Sequence, residues 1–291
     1  MARLKVWIEA MRLRTLPVSV AGVITAAGFN LLYDNLQIVP LVICLLFAVA
    51  AQVASNFANE YFDYKAGRDR QGREGPRRGV TEGDVSPRAM KNAIFITLAI
   101  AACLGLSLTY YGGLWLIAVG VAVALGVFAY STGPFPLSTN GLGEVAVVIF
   151  FGLVPVNLTY YVETLQWSLP VLMGSISIGF MGANVLIINN YRDVEDDRAV
   201  NKRTLAVRLG RPAMLVLYMA NASVAVILML PTWVQISWAS LIAPAIYLLL
   251  ATRITVAMHS RQGASLTPLL AATSLLMFAH SLAFATSAAL L

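Results

Sequence analysis

The sequence predicts an all-α integral membrane protein of nine transmembrane helices, with its amino terminus in the cytoplasm. Three observations carry that expectation. Of 291 residues, 59% are hydrophobic and only 12% charged, too apolar for a soluble domain. Apolar runs at 16–33, 37–58, 92–111, 114–131, 144–162, 168–189, 213–230, 235–251 and 265–288 fit a crossing, which needs about 20 mostly apolar residues. Every Lys and Arg falls in segments that nine crossings place on one side, and basic loops stay in the cytoplasm.

The elements follow in order. The stretch with Arg3, Lys5, Trp7, Glu9, Arg12 and Arg14 reads as an amphipathic helix on the cytoplasmic surface, ending in the turn Arg12-Leu13-Arg14-Thr15-Leu16-Pro17. No small-residue cleavage pattern follows the first run, so it is expected to stay as a span. The second run leads into eight Lys or Arg between Lys65 and Lys91. The third and fourth are separated only by Tyr111-Gly112-Gly113 and should form an antiparallel hairpin. The fifth and sixth lead into six Lys or Arg between Arg192 and Arg211. The seventh and eighth meet at Pro231-Thr232-Trp233, a second expected hairpin, and Arg253 and Arg261 precede the ninth. The opposite side carries only Asp34 and Glu163. Trp115, Trp167 and Trp233 fall near that boundary, where indoles favour the headgroup level. No run alternates in polarity, which argues against barrel strands. Cys44 and Cys103 lie inside spans without metal-ligand spacing, and no disulfide is expected. Topology accounts for the net charge of +6, so nucleic acid is not an expected partner.

Two polar segments end the second and sixth runs. The first is Asn56-Phe57-Ala58-Asn59-Glu60-Tyr61-Phe62-Asp63, with Asp69 beyond; the second is Asn189-Asn190-Tyr191-Arg192-Asp193, with Asp196 and Asp197 beyond. Aligning Tyr61 with Tyr191 pairs Asn59 with Asn189 and Asp63 with Asp193, at one offset of 130 positions. Hydrocarbon penalises amides and carboxylates, so such groups at membrane depth mark a site. Two matching sets imply one site built from two halves of a single domain, residues 1–291. On a helix, Asn56, Asn59 and Asp63 share one face, as do Asn189, Asp193 and Asp197. Hard oxygen donors suit Mg²⁺, which favours carboxylates and substrate phosphates, and soft ligands for zinc or copper are missing. Lys65, Arg68, Arg70, Arg73, Arg77 and Arg78 adjoin the first segment; Arg192, Lys202, Arg203 and Arg208 adjoin the second. Carboxylates holding Mg²⁺ beside such bases form a constellation for diphosphate, able to stabilise charge on a leaving group. Against this, basic cytoplasmic loops are ordinarily topogenic, and an Asp at a helix end can simply cap the next element. Asp69, Glu74, Glu82 and Asp84 read equally well as solvated surface.

Asn59-Glu60-Tyr61-Phe62-Asp63 with Asp69, and Asp193-Val194-Glu195-Asp196-Asp197, resemble the two motifs of the UbiA family of membrane-embedded aromatic prenyltransferases. Those motifs are Asn-Asp-x-x-Asp with a further Asp, and Asp-x-x-x-Asp. Four stretches resemble the branch that uses 1,4-dihydroxy-2-naphthoate. They are Leu13-Arg14-Thr15-Leu16-Pro17; Gly75-Pro76-Arg77-Arg78-Gly79; Gly141-Leu142-Gly143-Glu144 running to Phe150-Phe151-Gly152; and Asn189 to Asp193 with Lys202-Arg203-Thr204-Leu205-Ala206-Val207-Arg208-Leu209-Gly210. Glu60 departs from the usual Asp, and Gly67 stands where the general pattern has a third Asp, Asp69 following two residues later. Tyr130-Ser131-Thr132-Gly133-Pro134 lacks the lysine that hydroxybenzoate enzymes carry after the matching tyrosine.

The resemblance implies nine transmembrane helices around a central cavity, capped by the two motif loops on the cytoplasmic side of the cell's inner (plasma) membrane. It implies Mg²⁺-dependent transfer of a prenyl group from a polyprenyl or phytyl diphosphate to dihydroxynaphthoate, with loss of diphosphate and CO₂, in menaquinone or phylloquinone synthesis. Asn59, Asp63, Asp69, Asn189, Asp193 and Asp197 are then the expected metal ligands, with Asp63, Asp193 and Asp197 the catalytic carboxylates. Asn56, Tyr61, Lys65, Arg77, Arg78, Tyr130, Tyr191, Lys202 and Arg203 are expected substrate contacts, although the tyrosines also read as membrane-interface residues. Glu144 reads either as an acceptor-binding or proton-handling group or as a helix amino-terminal charge favoured by the macrodipole. Phe128, Phe150 and Phe151 are candidates to face cationic charge, or are packing and lipid contacts. His259 and His280 show no partner pattern. Rival acceptors are 4-hydroxybenzoate and homogentisate. A rival from another class is an ion-coupled transporter, disfavoured because both motifs end spans on one side instead of lying at the midplane. A scaffold would leave the duplicated polar faces without a reason.

Overall fold

The computed structural model describes residues 2–69 and 77–291, and among them every regular element is helical. Arg70, Arg73, Glu74, Gly75 and Pro76, singled out above, lie outside the described residues. The helices are α1 (Ala2–Met11), α2 (Leu16–Leu32), α3 (Ile38–Lys65), α4 (Pro87–Gly112), α5 (Leu116–Ser131), α6 (Gly143–Val147), α7 (Val154–Thr164), α8 (Leu169–Arg192), α9 (Val194–Ala199), α10 (Leu205–Ile236), α11 (Ile242–Ser260) and α12 (Thr267–Ala289). A π-helical turn, Val148–Leu153, joins α6 to α7.

Among the described residues, eight helical segments are long and apolar enough to cross a bilayer, which makes this a multi-pass membrane protein. The fourth expected span, α5, is equally apolar but only 16 residues long. At 1.5 Å per residue it reaches about 24 Å, short of a hydrocarbon core of about 30 Å.

Local signals explain many helix ends. Pro87 starts α4 behind Ser86, whose side chain accepts the Ala89 N–H; Thr204 caps α10 in the same way through Val207. Both are N-cap arrangements that satisfy otherwise orphaned amides. Chain reversal at Gly113 gives the expected α4–α5 hairpin. The second hairpin turns later than expected. Pro231 and Trp233 lie inside α10, which continues to Ile236. Trp233 is therefore fully buried against His280 and Phe284 instead of facing the headgroups. Trp115 and Trp167 do gather at that end, packed on Tyr161. Likewise α11 runs past 251 to Ser260, so Arg253 sits on a helix.

The main helix pairs are α3 on α4, α2 on α12 and α8 on α10, with the π turn lying on α8. That last crossing depends on two glycines: a side chain on Gly152 would run into the backbone of Ser175 and Gly179. α1 lays Val6 and Ala10 onto a small core with Phe57, Val80 and Val85, with Trp7 edge-on to Phe57. It thus packs on the end of α3 and the loop after it. The motif-bearing end of α3, α8, the α5–α6 connection and the start of α10 meet on one side of the bundle.

Candidate active site

A cavity of about 300 Å³ runs between α2, α3, α4, α5, the α6–α7 segment and α8. Its walls are apolar through most of its depth, including Val23, Leu108, Leu116, Val123, Phe150, Leu158 and Val162. One end is polar and carries Arg12, Asn56, Asn59, Asp63, Arg78, Asn189, Asp193, Asp197 and Lys202. The two motif segments, 130 positions apart, thus line one space.

The first motif is helical throughout, because α3 continues to Lys65. Asn59 is its hub. Its Oδ1 accepts from Arg12 Nη2 at 2.6 Å and Arg78 Nη2 at 3.2 Å, while its Nδ2 donates to Asp63 Oδ2 at 3.3 Å and Ser131 Oγ at 3.2 Å. Asn56, one turn deeper, donates to the Met11 carbonyl and accepts from Gln52. Asp63 is 1% exposed and sits 3.2 Å from Lys202 Nζ through Oδ2 and 3.6 Å from Arg68 through Oδ1. Glu60 turns away from the cavity; its longer arm accepts the Val80 N–H at 3.0 Å and ties the following loop to α3.

The second motif is not one continuous helix. α8 ends at Arg192, Asp193 forms the junction, and Asp197 lies on the separate helix α9. The common face expected for Asn189, Asp193 and Asp197 is interrupted, yet all three line the cavity. Arg192 clamps Asp193 through two bonds, at 2.6 and 2.9 Å, and reaches Asn189 Oδ1 at 2.9 Å. Lys202 Nζ lies 3.2 Å from Asp63 and 3.9 Å from Asp197, linking the two halves.

Other expected contacts lie off the cavity. Asp69 is buried against Arg78 at 3.4 Å. Arg77 pairs with Asp84 and is half-exposed. Lys65 and Arg203 are exposed. Tyr61 packs edge-on to Phe62, and Tyr191 lies in the apolar core beneath the Arg211 guanidinium. Tyr130 and Glu144 do line the cavity. Sequence reasoning passed over the part Arg12 takes. It adopts a left-handed backbone (φ 52°) where α1 ends, which turns its side chain toward Asn59. The signal was its place in the turn Arg12-Leu13-Arg14-Thr15-Leu16-Pro17, counted above only as topogenic charge.

Among the described residues, no three His, Cys, Asp or Glu side chains form a ready cage for a metal. The donor chemistry still suits a hard cation. Amide and carboxylate oxygens of both motifs face one space, and the buried Asp63 Oδ1 accepts no hydrogen bond from the described residues. Mg²⁺ commonly takes one or two carboxylates and leaves the remaining positions to water and phosphate oxygens.

An apolar chamber headed by amides, carboxylates and bases has the chemistry to take an amphiphile with an anionic head. The chain belongs to the UbiA prenyltransferase family, whose pattern matches residues 16–282. It is 35% identical over 285 residues to 1,4-dihydroxy-2-naphthoate octaprenyltransferase of Mycobacterium leprae, covering 98% of this chain and 96% of the relative. It is 32% identical over 292 residues to the protein of the same name from Haemophilus influenzae, covering 97% and 95%. The fold matches a UbiA homologue from Archaeoglobus fulgidus solved with GPP and Mg²⁺, with TM-score 0.68 over 97% of this chain and 99% of that one, at 15% identity.

Proposed function

We propose that this protein transfers a prenyl group from a polyprenyl or phytyl diphosphate to 1,4-dihydroxy-2-naphthoate, releasing diphosphate and CO₂, as a step of menaquinone or phylloquinone synthesis. The observation that carries the reading is Lys202 held between Asp63 and Asp197, which gathers both motifs at the polar end of an apolar cavity. The names of the near full-length relatives support the acceptor. The whole chain acts as one domain. Nine crossings are proposed, with α5 as the short one, and all basic segments then fall on the cytoplasmic side of the inner membrane.

Asn59, Asp63, Asn189, Asp193 and Asp197 would hold Mg²⁺, with Asp69 contributing through its hold on Arg78. When bound, the metal offsets charge on the departing diphosphate. Lys202, Arg78 and Arg12 supply donors to the same oxygens, and charge-assisted bonds are the strong ones. Asn56 holds α1 against α3 and so positions Arg12. Tyr130 faces the cavity and is a hydroxyl donor to diphosphate or acceptor. Lys65, Arg77 and Arg203, being exposed, draw the anionic head toward the site before it docks; Tyr61 and Tyr191 support the two motif helices by packing. The apolar chamber keeps the prenyl tail in hydrocarbon, where each buried CH₂ is worth about 0.8 kcal/mol, and shields an allylic cation from water.

The test is purified protein with Mg²⁺, dihydroxynaphthoate and a set of prenyl diphosphates, with products read by mass spectrometry. A prenylated, decarboxylated naphthol is expected. Release of diphosphate without any prenylated aromatic, across naphthoate, hydroxybenzoate and homogentisate, would overturn the proposal.

A further inference from the structure

Glu144 is a buried carboxylate that neither motif uses. It is 7% exposed, stands in the first turn of α6 and lines the cavity. Oε1 accepts from Asn190 Nδ2 at 2.9 Å, which fixes the carboxylate's orientation from α8. Oε2 is buried and has no hydrogen-bond partner among the described residues. Ser138 Oγ, from the α5–α6 connection, is likewise buried without a partner and lines the same cavity. The Tyr130 hydroxyl lies close by, 3.8 Å from where a side chain on Gly143 would begin. Unpaired buried oxygens are costly, so a carboxylate and a hydroxyl in this condition mark a place for a ligand that brings donors. The part of the ligand that meets Oε2 is a hydroxyl, because a carboxylate oxygen accepts from a donor and repels an anionic oxygen placed against it. Diphosphate fits the opposite description and belongs with Lys202, Arg78 and Arg12.

We propose that Glu144 is the general base for the aromatic acceptor, with Asn190 as its positioning residue. This deepens the prenyltransferase reading and rests on it. A ring hydroxyl of the acceptor donates to Glu144 Oε2, with Ser138 as a second contact. As the ring carbon bonds to the allylic carbon, the allylic C–O bond breaks and its electron pair leaves on the diphosphate. The hydroxyl proton passes to Glu144, and the ring oxygen becomes a ketone. Where attack falls on the carbon bearing the carboxylate, the product is a β-keto acid anion. Loss of CO₂ returns an electron pair to the ring, and Glu144 gives its proton back to the ring oxygen. The base is regenerated, and one carboxylate serves both halves of the reaction.

The experiment compares wild type, Glu144→Gln and Asn190→Ala in lipid nanodiscs. Prenylated aromatic, prenyl alcohol and diphosphate are quantified with dihydroxynaphthoate, 4-hydroxybenzoate and homogentisate, and prenyl diphosphate binding is measured separately. Gln keeps the size and the bond from Asn190 but cannot take a proton. General-base removal commonly costs about 10²–10⁴-fold. Glu144→Gln should therefore lose at least about 100-fold in prenylated aromatic. Prenyl diphosphate should bind within threefold of wild type, and diphosphate release should exceed aromatic product, with prenyl alcohol making up the difference. Asn190→Ala should show the same split in milder form. Near-normal prenylation by Glu144→Gln overturns the proposal, as does parallel loss of prenyl diphosphate binding in both variants. A wild type that prenylates another phenol and not the naphthoate overturns the acceptor assignment alone, and the Glu144→Gln comparison is then decided on that phenol.

Discussion

Asp63→Ala separates the chemistry of the site from its stability. Asp63 is 1% exposed and answers three groups: Lys202 at 3.2 Å, Asn59 at 3.3 Å and Arg68 at 3.6 Å. Removing one member of a buried ion pair commonly costs about 3–5 kcal/mol, because the other charge is left uncompensated. Here the cost should be lower, about 1–3 kcal/mol, since orphaned polar groups with remaining partners fall in that range. Lys202 keeps Asp197 at 3.9 Å, and Arg68 has partial access to water and the Ser131 carbonyl. The loss in rate should be larger than this modest destabilisation implies. Removing one group that stabilises a developing charge costs about 10²–10³-fold in kcat, or about 2.7–4 kcal/mol. Single-turnover prenyl transfer at saturating Mg²⁺, paired with thermal unfolding in detergent, measures both. The expected result is a folded protein with at least a hundredfold slower transfer. Turnover within a few-fold of wild type would remove Asp63 from the mechanism and the metal site with it.

Three further perturbations test other parts of the structure. Lys202→Met should lower kcat/KM for prenyl diphosphate about 10- to 100-fold, in line with about 1.5–3 kcal/mol for a charged hydrogen bond, while Arg203→Met, exposed and off the cavity, should stay within twofold; equal losses in steady-state kinetics would refute the placement. Gly126→Leu should force the Phe150 ring that lies on it further into the cavity, slowing transfer more than it lowers Tm; a variant with unchanged kinetics would show that Phe150 does not bound the substrate space. Trp233→Ala should cost about 3–5 kcal/mol as a fully buried aromatic, whereas Trp233→Phe should cost less than half of that, because its indole N–H has no hydrogen-bond partner to lose; denaturation in mixed micelles distinguishes the two.

Helix existence was legible because apolar runs longer than a crossing have few alternatives. Burial was not. Lipid and protein interior are equally apolar, so nothing in Pro231-Thr232-Trp233 tells an indole at the headgroups from one packed on His280. The site was legible where the chemistry is extreme. Asn59, Asp63, Asn189, Asp193 and Asp197 stand out against hydrocarbon, and all five line one cavity. Their basic partners were harder to sort. Topology alone explains every Lys and Arg, so only long-range contacts separate Lys202 and Arg12 from Lys65, Arg77 and Arg203. Helical periodicity also runs on past Arg192 without a signal for the break at Asp193. Tyr61 and Tyr191 share a sequence register with the proposed metal ligands but not their direction, since a helix turns neighbouring positions to different faces.

The grip of α1 and Arg12 on the motif-bearing helix α3 has a practical side. The Met11 carbonyl holds Asn56 and the Arg12 guanidinium holds Asn59, while Val6 and Ala10 press on the loop that carries Arg78. A purification handle or fluorescent fusion joined at that end would load a lever whose short arm is the polar end of the cavity. The last helix ends at the far face, with Leu290 and Leu291 exposed, and there the same handle would hang clear of the chemistry.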